Sequence, residues 1–134
     1  MTYRPASDPK IHELVSALYT ERWASSASKI EQLVAISDAW KICELLTSSE
    51  GWRERVVAAK IIAAFDFIDL VTPLISTFIG RAESNTLRAF VKLIITTAMP
   101  DTKHKLLEEL RACCPDTSYG RHMIKVIDDA SDAV

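Results

Sequence analysis

The residues best suited to chemistry in this sequence are few and scattered. Cys113 and Cys114 are adjacent, and with His104 or His122 they would supply the sulfur and nitrogen ligands that zinc prefers. Two neighbouring cysteines, however, cannot easily both reach one tetrahedral ion, and the sequence has no second cysteine pair. The pattern therefore predicts no metal site, and it favours buried or half-buried thiols at a helix end.

Carboxylates and short motifs give no stronger indication of catalysis. Glu108-Glu109 and Asp128-Asp129 are adjacent pairs, and adjacent residues point apart on a helix, so neither pair can share a substrate. The three glycines are too scattered for a phosphate-binding loop, and His12-Glu13 lacks the second histidine of a metalloprotease motif. We therefore expect no catalytic residues, no cofactor and no enzyme activity.

The composition is that of one soluble helical domain. The chain has 134 residues, which fits a single domain over 1–134, and 49% of them are hydrophobic and 25% charged. Only three glycines and five prolines are present, so turns are few and helices are favoured over hairpins. The net charge of −2 argues against nucleic acid, whose binding domains are usually basic.

The N-terminal segment and the cysteines bear on localisation. The first ten residues contain no apolar core of a secretory signal. The longest apolar stretch, residues 56–65, is interrupted by Lys60 and is half the length of about 20 residues that a membrane helix needs. Three cysteines, an odd number, suggest reduced thiols. We expect a cytoplasmic protein without a membrane segment.

Apolar residues at helical spacing predict about six to seven helices. Helices over 9–22, 52–65, 67–79 and 118–129 are among them, and a serine-rich break is expected at 24–28. Segment 28–47 is either one long helix or two short ones that break near Ser37-Asp38. The residues at the expected helix ends are the N-caps Asp8, Asp66 and Asp101 and the C-terminal glycine Gly80.

A repeat of 33 residues organises most of the chain. Arginines occur at 55, 88 and 121, and five residues before each of them stands an acid, at 50, 83 and 116. Each unit reads as a helical hairpin with the acid in the turn and the arginine in the first turn of its second helix. One hairpin cannot bury its apolar face alone, so the units are expected to stack.

This pattern resembles the HEAT-repeat family of α-solenoids over residues 38–130. Pro73 in the first helix of the middle unit fits it too, but the acid is twice Glu, the other units lack the proline, and the period is shorter than the roughly 40 residues usual there. The resemblance implies an all-α stack of antiparallel helical hairpins, with repeats over 28–130 and an N-terminal helix and serine-rich break over 1–27. It also implies a structural ladder of acid–arginine pairs: Glu50, Arg55, Glu83, Arg88, Asp116 and Arg121.

In such stacks the second helices line the concave side, and this predicts a partner-binding ridge. The repeat alignment places eight residues on it: Trp52, Val56, Asn85, Ala89, Lys92, Ser118, His122 and Lys125. An exposed Trp52 would be a plausible anchor for a protein. The alternative is that Trp52 folds back over the turn and packs on helix ends, and that the lysines are simply solvated charges.

These expectations favour a non-catalytic module that recognises one partner protein. A small inhibitor, an immunity protein or an adaptor subunit would each suit a compact helical chain, by analogy of fold alone. A nucleic-acid-binding HEAT-like protein is the alternative, but a phosphate-binding groove would need more cations than Lys92, Lys125 and His122 supply. A homodimer that buries Trp52 between two copies is a further possibility.

Overall fold

The fold is all-α, as predicted, with eight rather than six to seven helices in the part of the chain that the structure describes. A computed structural model describes residues 9–97 and 100–133, and this part contains no strand. The α-helices are α1 (Pro9–Leu18), α2 (Trp23–Leu33), α3 (Ile36–Thr47), α4 (Trp52–Phe65), α5 (Val71–Ser76), α6 (Ser84–Thr97), α7 (Pro100–Ala112) and α8 (Ser118–Ala133). A short 3₁₀ turn, Ile68–Leu70, precedes α5.

The N-terminal third differs most from the sequence prediction. The first helix ends at Leu18 rather than near residue 22, and the serine-rich segment 24–28 lies inside α2 instead of forming a break. Two of the serines bond locally: Ser25 Oγ donates to Glu21 Oε1 at 2.6 Å, and Ser26 Oγ donates to the Trp23 carbonyl at 2.8 Å. Segment 28–47 contributes to two helices, and they separate at Val34 and Ala35, where the backbone is extended.

The helix ends show which of the predicted capping residues occupy the expected positions. Asp66 does not cap the following helix; it ends α4 in the left-handed conformation, with φ 57°. Gly80 has φ 73° after α5, as expected of a residue that must turn the chain left-handed. Asp101 lies inside α7 rather than before it, and Asp8 is outside the described residues.

Helix α4 has its predicted bounds and is the centre of the structure. It packs against α2, α3 and α6, and every residue from Glu54 to Ile62 is buried. A helix that is covered all round belongs to a core rather than to a surface. Arg55 and Lys60 are therefore buried on it, at 3% and 5% exposure.

The second helices of the predicted hairpins pack in series. Helix α4 contacts α6 and α6 contacts α8, while each of the three also contacts the helix that precedes it, α3, α5 or α7. Phe78 and Phe90, whose ring centroids are 5.9 Å apart, fill the core where the end of α5 meets α6. This order of contacts is that of stacked helical hairpins. None of the described helices combines the length and the apolar character needed to cross a membrane.

Candidate functional site

A cleft lies where the turn between α1 and α2 approaches α4 and α6. It has a volume of about 370 Å³ and is open to solvent. The residues that line it are Tyr19, Thr20, Glu21, Arg22, Trp23, Trp52, Val56, Lys60, Asn85, Arg88, Ala89 and Lys92. An adjoining hollow shares Arg22, Trp23 and Lys92 with it and extends it along α6 to Thr96. From here on, "the cleft" means the recess together with this adjoining hollow.

The cleft gathers five of the eight residues that the repeat alignment placed on one ridge. Trp52 and Val56 come from α4, and Asn85, Ala89 and Lys92 come from α6. The other three, Ser118, His122 and Lys125, are exposed on α8 and do not line it. The alignment therefore identified residues that the fold brings together on the first two units but not on the third.

The expectation that these residues form an exposed ridge is wrong for Val56 of α4 and for Ala89 of α6. Val56 is only 6% exposed and Ala89 only 5%, so both form the floor of the cleft. The reason is that α1 and α2 pack onto α4 and cover the face that a bare hairpin stack would leave open. The N-terminal helices thus convert part of an open surface into a recess.

Trp52 folds back onto the end of α1 but keeps part of its surface in the cleft. Its ring meets Tyr19 edge-to-face, with the centroids 5.9 Å apart, and the Arg53 guanidinium lies 4.5 Å from the Trp52 centroid. Such cation–π and edge-to-face contacts fix the ring in place. The alternative interpretation of Trp52, packing on a helix end, is therefore the one that the structure supports.

Lys60 fixes the wall of the cleft that α1 and its following turn provide. Its ammonium donates hydrogen bonds to the carbonyls of Leu18 at 2.7 Å, Tyr19 at 3.2 Å and Glu21 at 2.6 Å. All three ammonium protons are used, and they bind the last carbonyl of α1, which also accepts from the Glu21 N–H at 3.2 Å, and two carbonyls of the turn that follows. Burial lowers the pKa of Lys60, against an opposing effect of Glu21. The one sequence signal of this structural role was the position of Lys60 within an otherwise apolar run.

The exposed charges of the cleft are mainly positive. Arg22, Arg88 and Lys92 form no ion pair within 4 Å among the residues that the structure describes. Glu21, the carboxylate of the lining, is already engaged by Ser25 at 2.6 Å and Lys29 at 3.2 Å, and these bonds lower its pKa. The cleft therefore presents unpaired cations to solvent.

Sequence reasoning missed two of these three cations. Arg22 was placed in a segment expected to end a helix before a break, and Arg88 was assigned to the structural ladder. Instead Arg22 immediately precedes α2, which has no acidic residue in its first turn, and Arg88 is exposed on α6. The spacing of Arg88 and Lys92, four residues apart on one helix, was the signal that these two side chains share a face.

The ladder prediction is wrong for two of its three pairs. No ion pair within 4 Å joins Glu50 to Arg55 or Glu83 to Arg88 in the described part of the chain. Arg55 is buried instead, and it donates to the carbonyls of Gly51 and Thr77, each at 3.4 Å. Burial lowers the pKa of its guanidinium. Because α4 is covered on all sides, Arg55 bonds to backbone at the end of α5 rather than to a turn acid.

The third pair, Asp116 and Arg121, does form, with 3.4 Å between Arg121 Nη1 and Asp116 Oδ1. Both side chains are largely exposed, so water screens the attraction. This pair joins the turn before α8 to the first turn of that helix, and in the described part of the chain it forms no contact with a neighbouring unit's pair. It is a local surface bond, not one step of a ladder.

Glu83 caps α6 rather than pairing with Arg88. Its carboxylate accepts hydrogen bonds from the backbone N–H groups of Asn85 and Thr86, both at 2.8 Å, and from both of their side chains. Burial raises the pKa of Glu83, but these hydrogen bonds outweigh it and hold the pKa below its ordinary value. The helix α6 that carries Asn85, Arg88 and Lys92 is thereby fixed at its first turn.

We expect Glu83→Ala to lower the free energy of unfolding by about 1–2 kcal/mol at pH 7, the usual cost of losing an N-cap. Because the folded pKa lies below the unfolded value of 4.5, this contribution is complete above that value and is lost as the pH falls through the folded pKa. Urea unfolding at pH 7 and at pH 3 measures both effects. The control is Glu50→Ala, which removes an exposed carboxylate and should change stability by less than about 0.5 kcal/mol. Equal losses for the two variants would contradict the capping role.

The thiols are half-buried just after α7, as expected. Burial raises the pKa of Cys113 and of Cys114, and Cys114 Sγ lies 3.4 Å from the Leu110 carbonyl oxygen. Thiols with a raised pKa are weak nucleophiles at neutral pH. No group of three His, Cys, Asp or Glu residues in 9–97 and 100–133 is arranged to hold a metal ion.

Comparison with known proteins gives no match from which a function of the site could be inferred. No family model matches the chain, and neither a curated protein nor a solved structure matches it.

Proposed function

We propose that this chain is a non-catalytic protein-binding module of HEAT-like helical hairpins, and that it holds one partner protein in the cleft. The observation that carries the proposal is the composition of this recess. It combines an apolar floor, Val56 and Ala89, with tryptophan and with unpaired cations. The packing of α4, α6 and α8 in series supports the repeat assignment.

The chemistry of the lining supports binding rather than catalysis. No His, Cys or Asp is among the residues that line the cleft in the described part of the chain, and Glu21 is engaged by Ser25 and Lys29. The lining therefore offers no nucleophile with an adjacent base. Trp and Arg, in contrast, are the residues most often found to dominate the binding energy of protein interfaces.

A nucleic-acid-binding function is the second candidate, because Arg22, Arg88 and Lys92 would suit phosphates. It ranks second on two observations. The chain carries a net charge of −2, and three exposed cations are few beside the phosphate contacts of a typical nucleic-acid site. In addition, Arg53 occupies a face of the Trp52 ring, so a base has less aromatic surface on which to stack.

We expect the cleft variant Arg88→Glu/Lys92→Glu to lose its partner. In an affinity capture from nuclease-treated source lysate, wild-type protein should retain one protein that this variant does not. The matched control is Lys41→Glu/Lys105→Glu, which makes the same change of charge at two exposed lysines outside the cleft. Helical circular dichroism confirms that both variants fold.

Retention of the same protein by wild type and cleft variant would reject the cleft as the binding surface. A ligand that disappears on nuclease treatment would favour the second candidate. The identity of a captured protein then separates an inhibitor or immunity protein, whose partner is an enzyme or toxin, from an adaptor subunit of a larger complex. Sedimentation of the free chain tests whether a second copy is the occupant.

A further inference from the structure

We infer that the cleft selects an acidic segment of its partner, in which carboxylates flank an apolar side chain. This inference rests on the proposed function and specifies the chemistry of the bound segment. It is carried by the distribution of charge between the cleft and the rest of the chain, by the positions of three cations, and by the covering of Trp52.

The charge of the cleft is opposite to that of the protein. Its lining contains four cations and one carboxylate, a net charge of +3. The whole chain carries 16 basic and 18 acidic side chains, a net charge of −2, so the remainder has −5. A positive recess in a chain of net negative charge attracts an acidic ligand more strongly than the rest of that chain does.

The cations stand on two walls with an apolar floor between them. Arg22 belongs to the α1–α2 turn, whereas Arg88 and Lys92 lie one turn apart on α6. Val56 and Ala89, both nearly inaccessible, form the floor between the walls. Carboxylates of one segment can pair with both walls while an apolar side chain between them covers the floor. Arginine suits this role because its planar fork binds a carboxylate through two hydrogen bonds.

The aromatic side of the cleft favours a peptide over a nucleic acid. The Trp52 ring is fixed by Arg53 and by the edge-to-face contact with Tyr19. It supplies a rigid wall against which an aliphatic side chain can pack, and its covered face is not available to a base. Arg53, held on the rings of Trp52 and Tyr19, adds positive charge beside this wall.

Two of the three tryptophans, Trp23 and Trp52, line the cleft, and this provides the readout. In a Trp40→Phe background, tryptophan fluorescence, excited selectively over tyrosine, comes from the cleft alone. The probe is a nine-residue peptide, capped at both ends, with the central sequence Glu-Leu-Glu, and its neutral counterpart has Gln-Leu-Gln. At low salt we expect the Glu peptide to bind at least about tenfold more tightly than the Gln peptide, as expected for charge-assisted hydrogen bonds. This preference should shrink as salt is added.

Neutralising the α6 wall tests the assignment of residues. Arg88→Gln/Lys92→Gln should weaken binding of the Glu peptide at least about tenfold, whereas Lys41→Gln/Lys105→Gln should leave it unchanged. Both substituted cleft residues are exposed, so the variant should keep the wild-type circular dichroism and unfolding midpoint. An equal loss of affinity in the cleft variant and in the Lys41/Lys105 control would overturn the assignment of Arg88 and Lys92 to the binding surface.

The outcomes separate this inference from the proposed function. Equal affinity for the Glu and Gln peptides, or no binding of the Glu peptide at millimolar concentration, overturns the inference that the cleft selects an acidic segment. The cleft nevertheless remains the protein-binding site if Arg88→Glu/Lys92→Glu still loses the captured partner. Tighter binding of a twelve-nucleotide oligothymidylate than of the Glu peptide overturns both the protein-binding proposal and the acidic-segment inference, and it supports the nucleic-acid candidate.

Discussion

Replacing Lys60 with methionine should lower the free energy of unfolding by about 3 kcal/mol, because a buried network of hydrogen bonds loses its donor. Lys60 is 5% exposed, and its ammonium donates to three backbone carbonyls at 2.6 to 3.2 Å. Methionine keeps an unbranched chain of similar length but donates no hydrogen bond. The Tyr19 and Glu21 carbonyls then lose the Lys60 donor, whereas the Leu18 carbonyl still accepts from the Glu21 N–H at 3.2 Å. Each buried acceptor left unsatisfied typically costs about 1–3 kcal/mol, and water that enters from the cleft recovers part of it.

The loss should be concentrated where α1 meets α4. Urea unfolding gives the overall change, and amide hydrogen exchange should show faster opening in α1 and in the turn at residues 19–22 than in α6. The control Lys41→Met removes an exposed lysine from α3 and should change stability by less than about 0.5 kcal/mol. If Lys60→Met is as stable as the wild type, the cost of burying the ammonium offsets its bonds.

The same substitution connects stability to the proposed function. The α1–α2 turn supplies Tyr19, Arg22 and Trp23 to the cleft, and Lys60 is the side chain that ties this turn to α4. Loosening of the turn should therefore weaken partner capture even though Lys60 has no donor left for a ligand. Retained capture with a detached α1 would indicate that α4 and α6 alone suffice for binding.

Gly120→Ala should lower the free energy of unfolding by about 2–3 kcal/mol through overpacking at the start of α8. Gly120 is buried in the first turn of this helix, and a Cβ there would overlap the backbone carbonyl of Pro115. A backbone atom cannot rotate aside as a side chain can, so the turn between α7 and α8 must shift. This prediction opposes helix propensity, by which alanine is favoured over glycine by about 1 kcal/mol within a helix.

Gly80→Ala is the informative comparison, because it is the same substitution but should destabilise the fold for a different physical reason. A Cβ at Gly80 meets no atom within 4 Å, but φ there is 73°, a region where other residues are strained. We expect a cost of about 1 kcal/mol at Gly80, clearly less than at Gly120. Chemical unfolding of the two variants gives the ranking, and a neutral or stabilising Gly120→Ala would show that the turn adapts freely.

The amino-acid sequence alone sufficed to predict the class of fold and much of the helical pattern. Scarce glycine and proline, together with apolar residues at helical spacing, predicted an all-α chain and the bounds of α4 from Trp52 to Phe65. The 33-residue alignment also brought Trp52, Val56, Asn85, Ala89 and Lys92 into one set, and they do share a recess. These are local properties, since the periodicity of a helix fixes which of its residues share a face.

Which segments pack against each helix face, in contrast, depends on the three-dimensional packing of the chain. The packing of α1, α2, α3 and α6 buried all sides of α4. Arg55 bonds to the Thr77 carbonyl after α5 rather than to Glu50, and Lys60 bonds to three carbonyls that lie about 40 positions earlier in the chain. Glu83 capped its own helix, where the Asn85 and Thr86 amides lie 2.8 Å from its carboxylate oxygens. Arg22 entered the cleft because a serine-rich segment, read as a break, is helical. Such outcomes depend on contacts between distant segments, and helical periodicity carries no information about them.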